Sequence, residues 1–256
     1  MMNDETAERL IELNRRFYAD FGTAFAATRR RIQPGIAEVL RRLATLAPEP
    51  GDWLDVGCGG GQVAASWAAF KRKGRYVGID FSLELLSEAR AKALEINAGG
   101  LSVEYAQNDM SADVLTAQFA PAQFDGVLAF ASLHHIPGQV RRADLLQVLQ
   151  RLLKPGGWLI HSEWQFQHSP RLMERVQPWE RIGLSAEDVE DNDYLLDWRF
   201  ALPGQAQQVG LRYVHLFTRE ELAQLADSAG FEIAFDFDSD GREGNLALYQ
   251  GWRRIA

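Results

Sequence analysis

Residues 53–64 read Trp53-Leu54-Asp55-Val56-Gly57-Cys58-Gly59-Gly60-Gly61-Gln62-Val63-Ala64, an apolar run that breaks into four glycines within five residues. A strand that turns into a helix through residues without a Cβ lets a ligand approach the bare main chain, near the N–H groups of the helix start. Such a turn suits a nucleotide-like ligand, and the spacing separates two classes of it. A dinucleotide fingerprint requires glycine three positions after its second glycine, where Gln62 stands. The pattern here is instead acid-x-Gly-x-Gly-x-Gly, led by Asp55 with Gly57, Gly59 and Gly61. About 20 residues beyond the turn, Asp80 closes the next β-rich run, where a carboxylate can accept both hydroxyls of a ribose. Capping the following helix is the other natural use of an aspartate there.

Working outward, β-rich runs alternate with helical ones from Gly51 to Ser162. Strands are expected at 53–56, 75–80, 101–106, 124–130 and 158–163, and two more at 231–237 and 245–252. Between them, SLELLSEARAKALEI and QVRRADLLQVLQRLL carry apolar residues at three- and four-residue spacing, the first with Ser82 as its cap. This alternation predicts an α/β fold, a doubly wound and mostly parallel seven-stranded sheet. Residues 1–48 read as two helices parted by a turn near Gln33-Pro34-Gly35, a helical cover. Residues 49–163 form the ligand-binding core. Residues 164–217 are an aromatic and acidic excursion after strand five, placed to lie as a lid over the carboxyl rim of the sheet, where open sheets bind ligands. Plain packing of extra helices is the other reading of these two segments. Residues 218–256 hold a helix, opened by Thr218 and Glu221 as a capping box, and the last strands. A single domain over 1–256 is expected.

Composition bounds the function classes. With 256 residues, 46% hydrophobic and 24% charged, the chain has the make-up of an ordinary globule. A formal charge of −8 argues against sequence-indifferent nucleic-acid binding, which needs a basic face, although Arg15-Arg16 and Arg29-Arg30-Arg31 gather positive charge near the start. No 18-residue window is wholly apolar, and MMNDETAERLIELNRRFYADF reads as a charged amphipathic helix rather than a secretion signal, so no membrane association and a cytoplasmic location are expected. Cys58 is the only cysteine, which excludes an intrachain disulfide and a cysteine-based zinc site. No other metal motif stands out, and Cys58 reads as a small loop residue.

The runs LDVGCGGGQVA, GIDFS, QNDM, FDGVLAFASLHHIP and LLKPGGWLIHSEW, in that order, are similar to the motif series of the class I S-adenosylmethionine-dependent methyltransferases. The resemblance implies S-adenosylmethionine as cofactor. It implies Asp55, Gly57, Gly59 and Gly61 at the methionine moiety, Asp80 at the ribose and Phe81 beside the adenine. Asn108, Asp109 and Met110 fall at the adenine edge, and Phe130 and Ala131 beside the sulfonium. The Lys154-Pro155-Gly156-Gly157 turn is structural. A sulfonium methyl is already activated, so the protein mainly aligns the acceptor and excludes water, and no metal is required.

Two further segments, FYADFGTAFAATRRR and LRYVHLFTREELAQLADSAGF, resemble the methyltransferases that esterify 5-carboxymethyl groups on the wobble uridine of transfer RNA. That resemblance implies Tyr18, Arg29, Arg212, Tyr213 and His215 at the substrate. Arginine's planar fork suits an anionic acceptor, which needs no general base. Arg29 has two other uses, pairing with an acid of the lid or holding the cofactor's carboxylate, and the structural alternative for Arg212 and His215 is that they stiffen the lid. Departing from that family, residues 196–198 read Leu-Asp-Trp, and 166–216 hold eight acids, five arginines and no lysine, a poor seat for an RNA backbone. His135, beside His134 after strand four, and His215 are the candidate general bases; His161, inside a strand, reads as core. Three readings are thus in play: a tRNA modification enzyme, a small-molecule carboxyl or hydroxyl methyltransferase, and a catalytically silent cofactor-binding partner subunit; an activating protein subunit is a further candidate partner, and Gln62 disfavours a nicotinamide-dependent oxidoreductase.

Overall fold

Five strands, β1 (Gly51–Val56), β2 (Gly74–Asp80), β3 (Leu101–Gln107), β4 (Phe124–Phe130) and β5 (Leu153–Trp164), pair in parallel. The chain then builds a small antiparallel sheet from β6 (Val176–Gln177), β7 (Asp193–Phe200) and β8 (Gln208–His215). It returns to the main sheet as β9 (Phe231–Ser239) and β10 (Ala247–Arg254), both paired antiparallel, so the seven strands lie in the order β3-β2-β1-β4-β5-β10-β9. The structure, a computed structural model, describes residues 2–27, 31–47, 49–96, 100–200 and 207–255.

Helices α1 (Asp4–Ala27) and α2 (Pro34–Leu46) precede the sheet, and α3 (Gln62–Ala69), α4 (Leu83–Ile96), α5 (Ala112–Gln118) and α6 (Gln139–Leu152) alternate with its strands. A single turn, α7 (Pro170–Met173), and α8 (Arg219–Ser228) follow. Strands of a parallel sheet are covered on both faces, which is why they read as apolar runs. One face packs Leu54, Val127 and Leu159 against Leu115, Leu149 and Leu222 of α5, α6 and α8. The other packs Trp53, Tyr76 and Ile160 against Val39 and Leu43 of α2 and Trp67 of α3. Because β1 lies between β2 and β4, the winding direction reverses between β1 and β4, and a crevice opens at the carboxyl ends of those two strands.

The seven expected strands are present in the expected sheet. The turn expected at residues 154–157 is absorbed into β5, which starts at Leu153 opposite Phe124 and slips register before Gly126 meets Trp158. Residues 164–217 are not a packing of extra helices. Beside α7 and two short 3-10 turns, the described residues of this stretch hold the β6-β7-β8 sheet, whose DYLLDWRF and QVGLRYVH runs are rich in aromatic and branched residues. Helix α1 lies on that sheet at Gly210, where an added Cβ would sit 2.7 Å from the rings of Phe17 and Phe21. The capping box at Thr218 is half made: Thr218 Oγ1 accepts from the Glu221 N–H at 3.1 Å, while the Glu221 carboxylate turns to His215. No described helix is long and apolar enough to cross a membrane.

Candidate active site

The crevice holds a cavity of about 340 Å³ that reaches from the glycine turn to the small sheet. Within the turn the glycines do different work. Gly59 sits at φ +52° with nothing within 4 Å of the place its Cβ would occupy, so its bare face looks into open space. Gly61, at φ +75°, starts α3, and its Cβ would meet the Tyr105 hydroxyl at 2.6 Å and Ala89 at 3.0 Å; it is bare because the protein presses on it. Gly57 and Gly59 line the cavity and Gly61 does not. The turn is tied down by the N–H groups of Gly57 and Cys58, both donating to the Ile79 carbonyl.

Asp80 braces this turn. Its Oδ2 accepts from the Gly59 N–H and its Oδ1 from the Ser82 N–H, both at 2.9 Å, so one carboxylate joins the glycine turn to the start of α4. The Phe81 N–H also hydrogen-bonds this carboxylate, which lines the cavity with acceptor capacity left over. Burial raises the Asp80 pKa, with the backbone hydrogen bonds opposing it. Asp55, also on the cavity wall, accepts from the Tyr76 hydroxyl and is 2% exposed; burial pushes its carboxyl up to about 7, Tyr76 pulling the other way and Asp80 adding repulsion.

Phe81, Met110, Phe130 and Ala131 also line the cavity. Ala131 holds a left-handed φ of 53°, fixed by its N–H donating to the Ser162 carbonyl at 3.0 Å and Oγ at 3.1 Å. Such a non-glycine residue carries strain on the order of 1 kcal/mol, a cost that gathers at functional sites. Asn108 and Asp109 stand behind the lining rather than on it. The Asn108 side-chain oxygen is buried without a hydrogen-bond partner, and Asp109 is engaged by Arg15 of α1 and by the Ser111 N–H at 3.1 Å.

The far wall is built from α1, the turn after β4 and β8. The Tyr18 hydroxyl lies 2.9 Å from His135 Nε2, and His135 Nδ1 lies 3.2 Å from the Tyr213 carbonyl. The Asn14 amide nitrogen, 3.4 Å from the same Nδ1, donates to the Tyr213 carbonyl at the shorter 3.2 Å; with Nδ1–H donating to that carbonyl as well, Nε2 receives the Tyr18 hydroxyl. Arg212 donates to the Tyr18 phenol oxygen and lies beneath the rings of Trp164, at 4.8 Å, and Phe17, at 5.4 Å. Tyr18, His135 and Arg212 thus meet on the cavity, with the Tyr18 ring edge-on to Phe81 at 5.8 Å.

Tyr213 and His215 are not brought to the cavity. Tyr213 is fully buried; its hydroxyl donates to Asp193 Oδ1 at 2.7 Å, and its main chain clasps Asn14 of α1 at 2.8 and 3.2 Å. His215 lies between Asp193 at 2.7 Å and Glu221 at 2.9 Å, beside the Arg142–Glu190 pair at 2.8 Å. Burial alone would lower the His215 pKa, but the two carboxylates prevail and raise it, so it rivets the small sheet to α8. Thr28 and Arg29 lie outside the described residues. His161 is fully buried with its pKa lowered to about 3 by desolvation, a core histidine.

Sequence reasoning passed over Glu163. It is wholly buried in β5, 3.2 Å from His134 Nδ1 and 2.8 Å from His161 Nδ1, and holds His134 on the cavity wall. An acid inside an apolar strand was the available signal, since a buried carboxylate needs partners. Glu88 was also passed over; it reaches the lining from α4, its carboxylate held by Lys92 at 2.7 Å.

These residues fit the cofactor that the resemblance implies. Asp55, Asp80 and Glu88 collect negative charge at the glycine end, suiting a ligand with ammonium and sulfonium groups. The open face of Gly59 admits its backbone approach.

A family profile described as a methyltransferase domain matches residues 28–234. A protein of Encephalitozoon cuniculi that is named a methyltransferase is 31% identical over 219 residues, 85% of this chain and 86% of its own length. The ubiquinone biosynthesis O-methyltransferase of Paracidovorax citrulli is 42% identical over 110 residues, only 43% of this chain and 42% of that protein. Among solved structures, the 1,6-didemethyltoxoflavin-N1-methyltransferase of Burkholderia thailandensis, with its substrate and S-adenosylhomocysteine bound, covers 98% of this chain and 90% of its own at a TM-score of 0.65 and 18% identity. A Methanosarcina mazei methyltransferase covers 84% and 97% at a TM-score of 0.64 and 22% identity. At these identities the structures speak for the fold.

Proposed function

The chain belongs to the methyltransferase-domain family, an S-adenosylmethionine-dependent enzyme of class I fold, and from that premise we propose that it methylates an oxygen of a small-molecule acceptor. When bound, the cofactor supplies a methyl group already activated by its sulfonium charge. The cofactor end, as proposed, comprises Asp55, Gly57, Gly59, Asp80, Phe81, Met110, Phe130 and Ala131, with Gly61, Asn108 and Asp109 supporting from behind. Residues 164–217 and α1 serve as the acceptor cover of one domain.

The observation that carries this proposal is the Tyr18–His135 hydrogen bond on the wall facing the glycine turn. An acceptor hydroxyl beside Tyr18 gives its proton to the phenol oxygen as the phenol proton passes to His135 Nε2. Arg212, donating to the same oxygen, lowers the cost of the negative charge that develops there. His135 keeps its orientation through Nδ1–H on the Tyr213 carbonyl. The named small-molecule relative, an O-methyltransferase of ubiquinone biosynthesis, supports an oxygen acceptor.

The finer reading, esterification of a carboxymethyl group on wobble uridine, has Arg212 on the cavity in its favour. Two other residues it needs, Tyr213 and His215, are occupied in the interior. The test is incubation with methyl-labelled cofactor and either a metabolite extract or bulk transfer RNA. Label is expected in small molecules; label confined to RNA would reverse the order of the two readings, and no transfer from a cofactor-bound chain would favour the silent subunit.

A further inference from the structure

We infer that the acceptor is an organic carboxylate seated on Arg212, which deepens the small-molecule reading and rests on it. The cavity is electrically lopsided. Its glycine end carries Asp55, Asp80 and Glu88, whereas Arg212 brings a guanidinium to the wall beside Tyr18. Asp240, another carboxylate of the lining, accepts from the Gly35 N–H at 2.9 Å and from the Tyr249 hydroxyl at 2.6 Å, and so fastens the end of β9 to α2. The charges therefore run from negative, where a cationic donor belongs, to positive, where its acceptor belongs.

Arg212 is the fixed part of that positive end. It is 5% exposed, and its guanidinium is gripped between the Trp164 and Phe17 rings while it touches Tyr18. Arginine stays protonated even when burial lowers its pKa, as it does here. A charge set in such a low-dielectric wall attracts an anion far more than one in water does. The guanidinium's rigid fork matches the two oxygens of a carboxylate, and its aromatic neighbours suit the flat body of an aromatic acid. Arg212 and Tyr18 being neighbours, the carboxylate would also lie close to the oxygen that Tyr18 deprotonates.

The probe is 2-hydroxybenzoate, compared with the neutral 2-hydroxybenzamide and with phenyl phosphate, each titrated calorimetrically into the full chain saturated with S-adenosylhomocysteine. The acid is expected to bind about tenfold or more tightly than the amide. In Arg212→Gln that preference should vanish while S-adenosylhomocysteine still binds. Equal affinity for acid and amide, tighter binding of phenyl phosphate, or a preference that survives Arg212→Gln would overturn the inference, as would no binding of the acid. Should Arg212→Gln fail to fold, the acid-to-amide ratio of the unaltered chain decides alone. Failure of S-adenosylhomocysteine itself to bind would strike the methyltransferase reading instead, so the two failures are distinguishable.

Discussion

The glycine turn is held by main chain, Gly57 and Cys58 on Ile79 and Gly59 on Asp80, all within two neighbouring strands. The Tyr18–His135–Arg212 wall is held by side chains drawn from α1, the turn after β4, and β8, with Asn14 and Tyr213 clasping each other across 199 residues of sequence. One end is a local backbone shape that many donors' relatives can share; the other is a tertiary assembly that changes with any of its three contributors. The difference predicts that the two ends can be damaged separately, and each variant below either separates them or shows that they are one unit.

The largest effect is expected at the rivet under the small sheet. His215→Ala leaves the buried Asp193 and the half-buried Glu221 without the imidazole between them, which should cost about 3 kcal/mol of unfolding free energy in denaturant titrations. Its folded pKa is raised above the usual 6.5, so this stabilisation is complete below that value and disappears as pH rises through the folded pKa. The stability gap between the unaltered chain and His215→Ala should therefore narrow in alkali. Affinity for S-adenosylmethionine should change by less than about twofold; a parallel loss would show that the cover also shapes the cofactor end.

Next comes the proton relay. Tyr18→Phe keeps the ring against Phe81 and removes the hydroxyl that links Arg212 to His135. Turnover at saturating cofactor should fall about a hundredfold, with cofactor affinity nearly unchanged. If the acceptor oxygen is already ionised, turnover will hardly move and the relay is wrong. On the opposite side, Asp80→Asn should weaken S-adenosylmethionine about thirtyfold by calorimetry, through loss of the ionised acceptor and loosening of Gly59, and leave the acceptor KM in place. A matching rise in that KM would merge the two ends.

The contrast also explains what was legible in the sequence. Glycine spacing, an acid at a strand end and apolar strand runs are local signals, so the sheet and most of the residues around the turn could be read one segment at a time. Even there, whether Gly61 faces a ligand or Tyr105 depends on β3, some forty residues away, and spacing carries no such information. For the cover, the aromatic run at 194–200 shows β propensity, yet it pairs with β8 across residues that show none, and the segment's sheet went unread. His215 and Tyr213 sit next to Arg212 in a strand, but alternation sends neighbours to opposite faces. Arg212 reaches the cavity, and Tyr213 turns to Asp193. His215 joins Asp193 and Glu221 at the strand's end. A motif match treats all three alike; the pleat does not.

The smallest expected effect tests the cofactor end through its charge. Burial, with repulsion from Asp80, holds the Asp55 carboxyl at about 7 despite the Tyr76 hydrogen bond, so near neutrality it is only partly ionised. A cationic ligand binds the ionised form better and lowers that pKa, so affinity for S-adenosylmethionine should fall as pH drops below about 7, by at most about tenfold per pH unit. Folding responds with the opposite sign. A carboxyl raised from 3.8 to about 7 stabilises the ligand-free fold below 3.8, and that contribution is lost as pH rises through about 7. Raising pH thus loosens the empty cofactor end while tightening its grip on the donor. Asp55→Asn should flatten both profiles and leave the affinity of the acceptor end for 2-hydroxybenzoate unchanged. A pH-independent donor affinity in the unaltered chain would mean that Asp55 faces the donor only as wall, leaving Asp80 and Glu88 to supply the negative end.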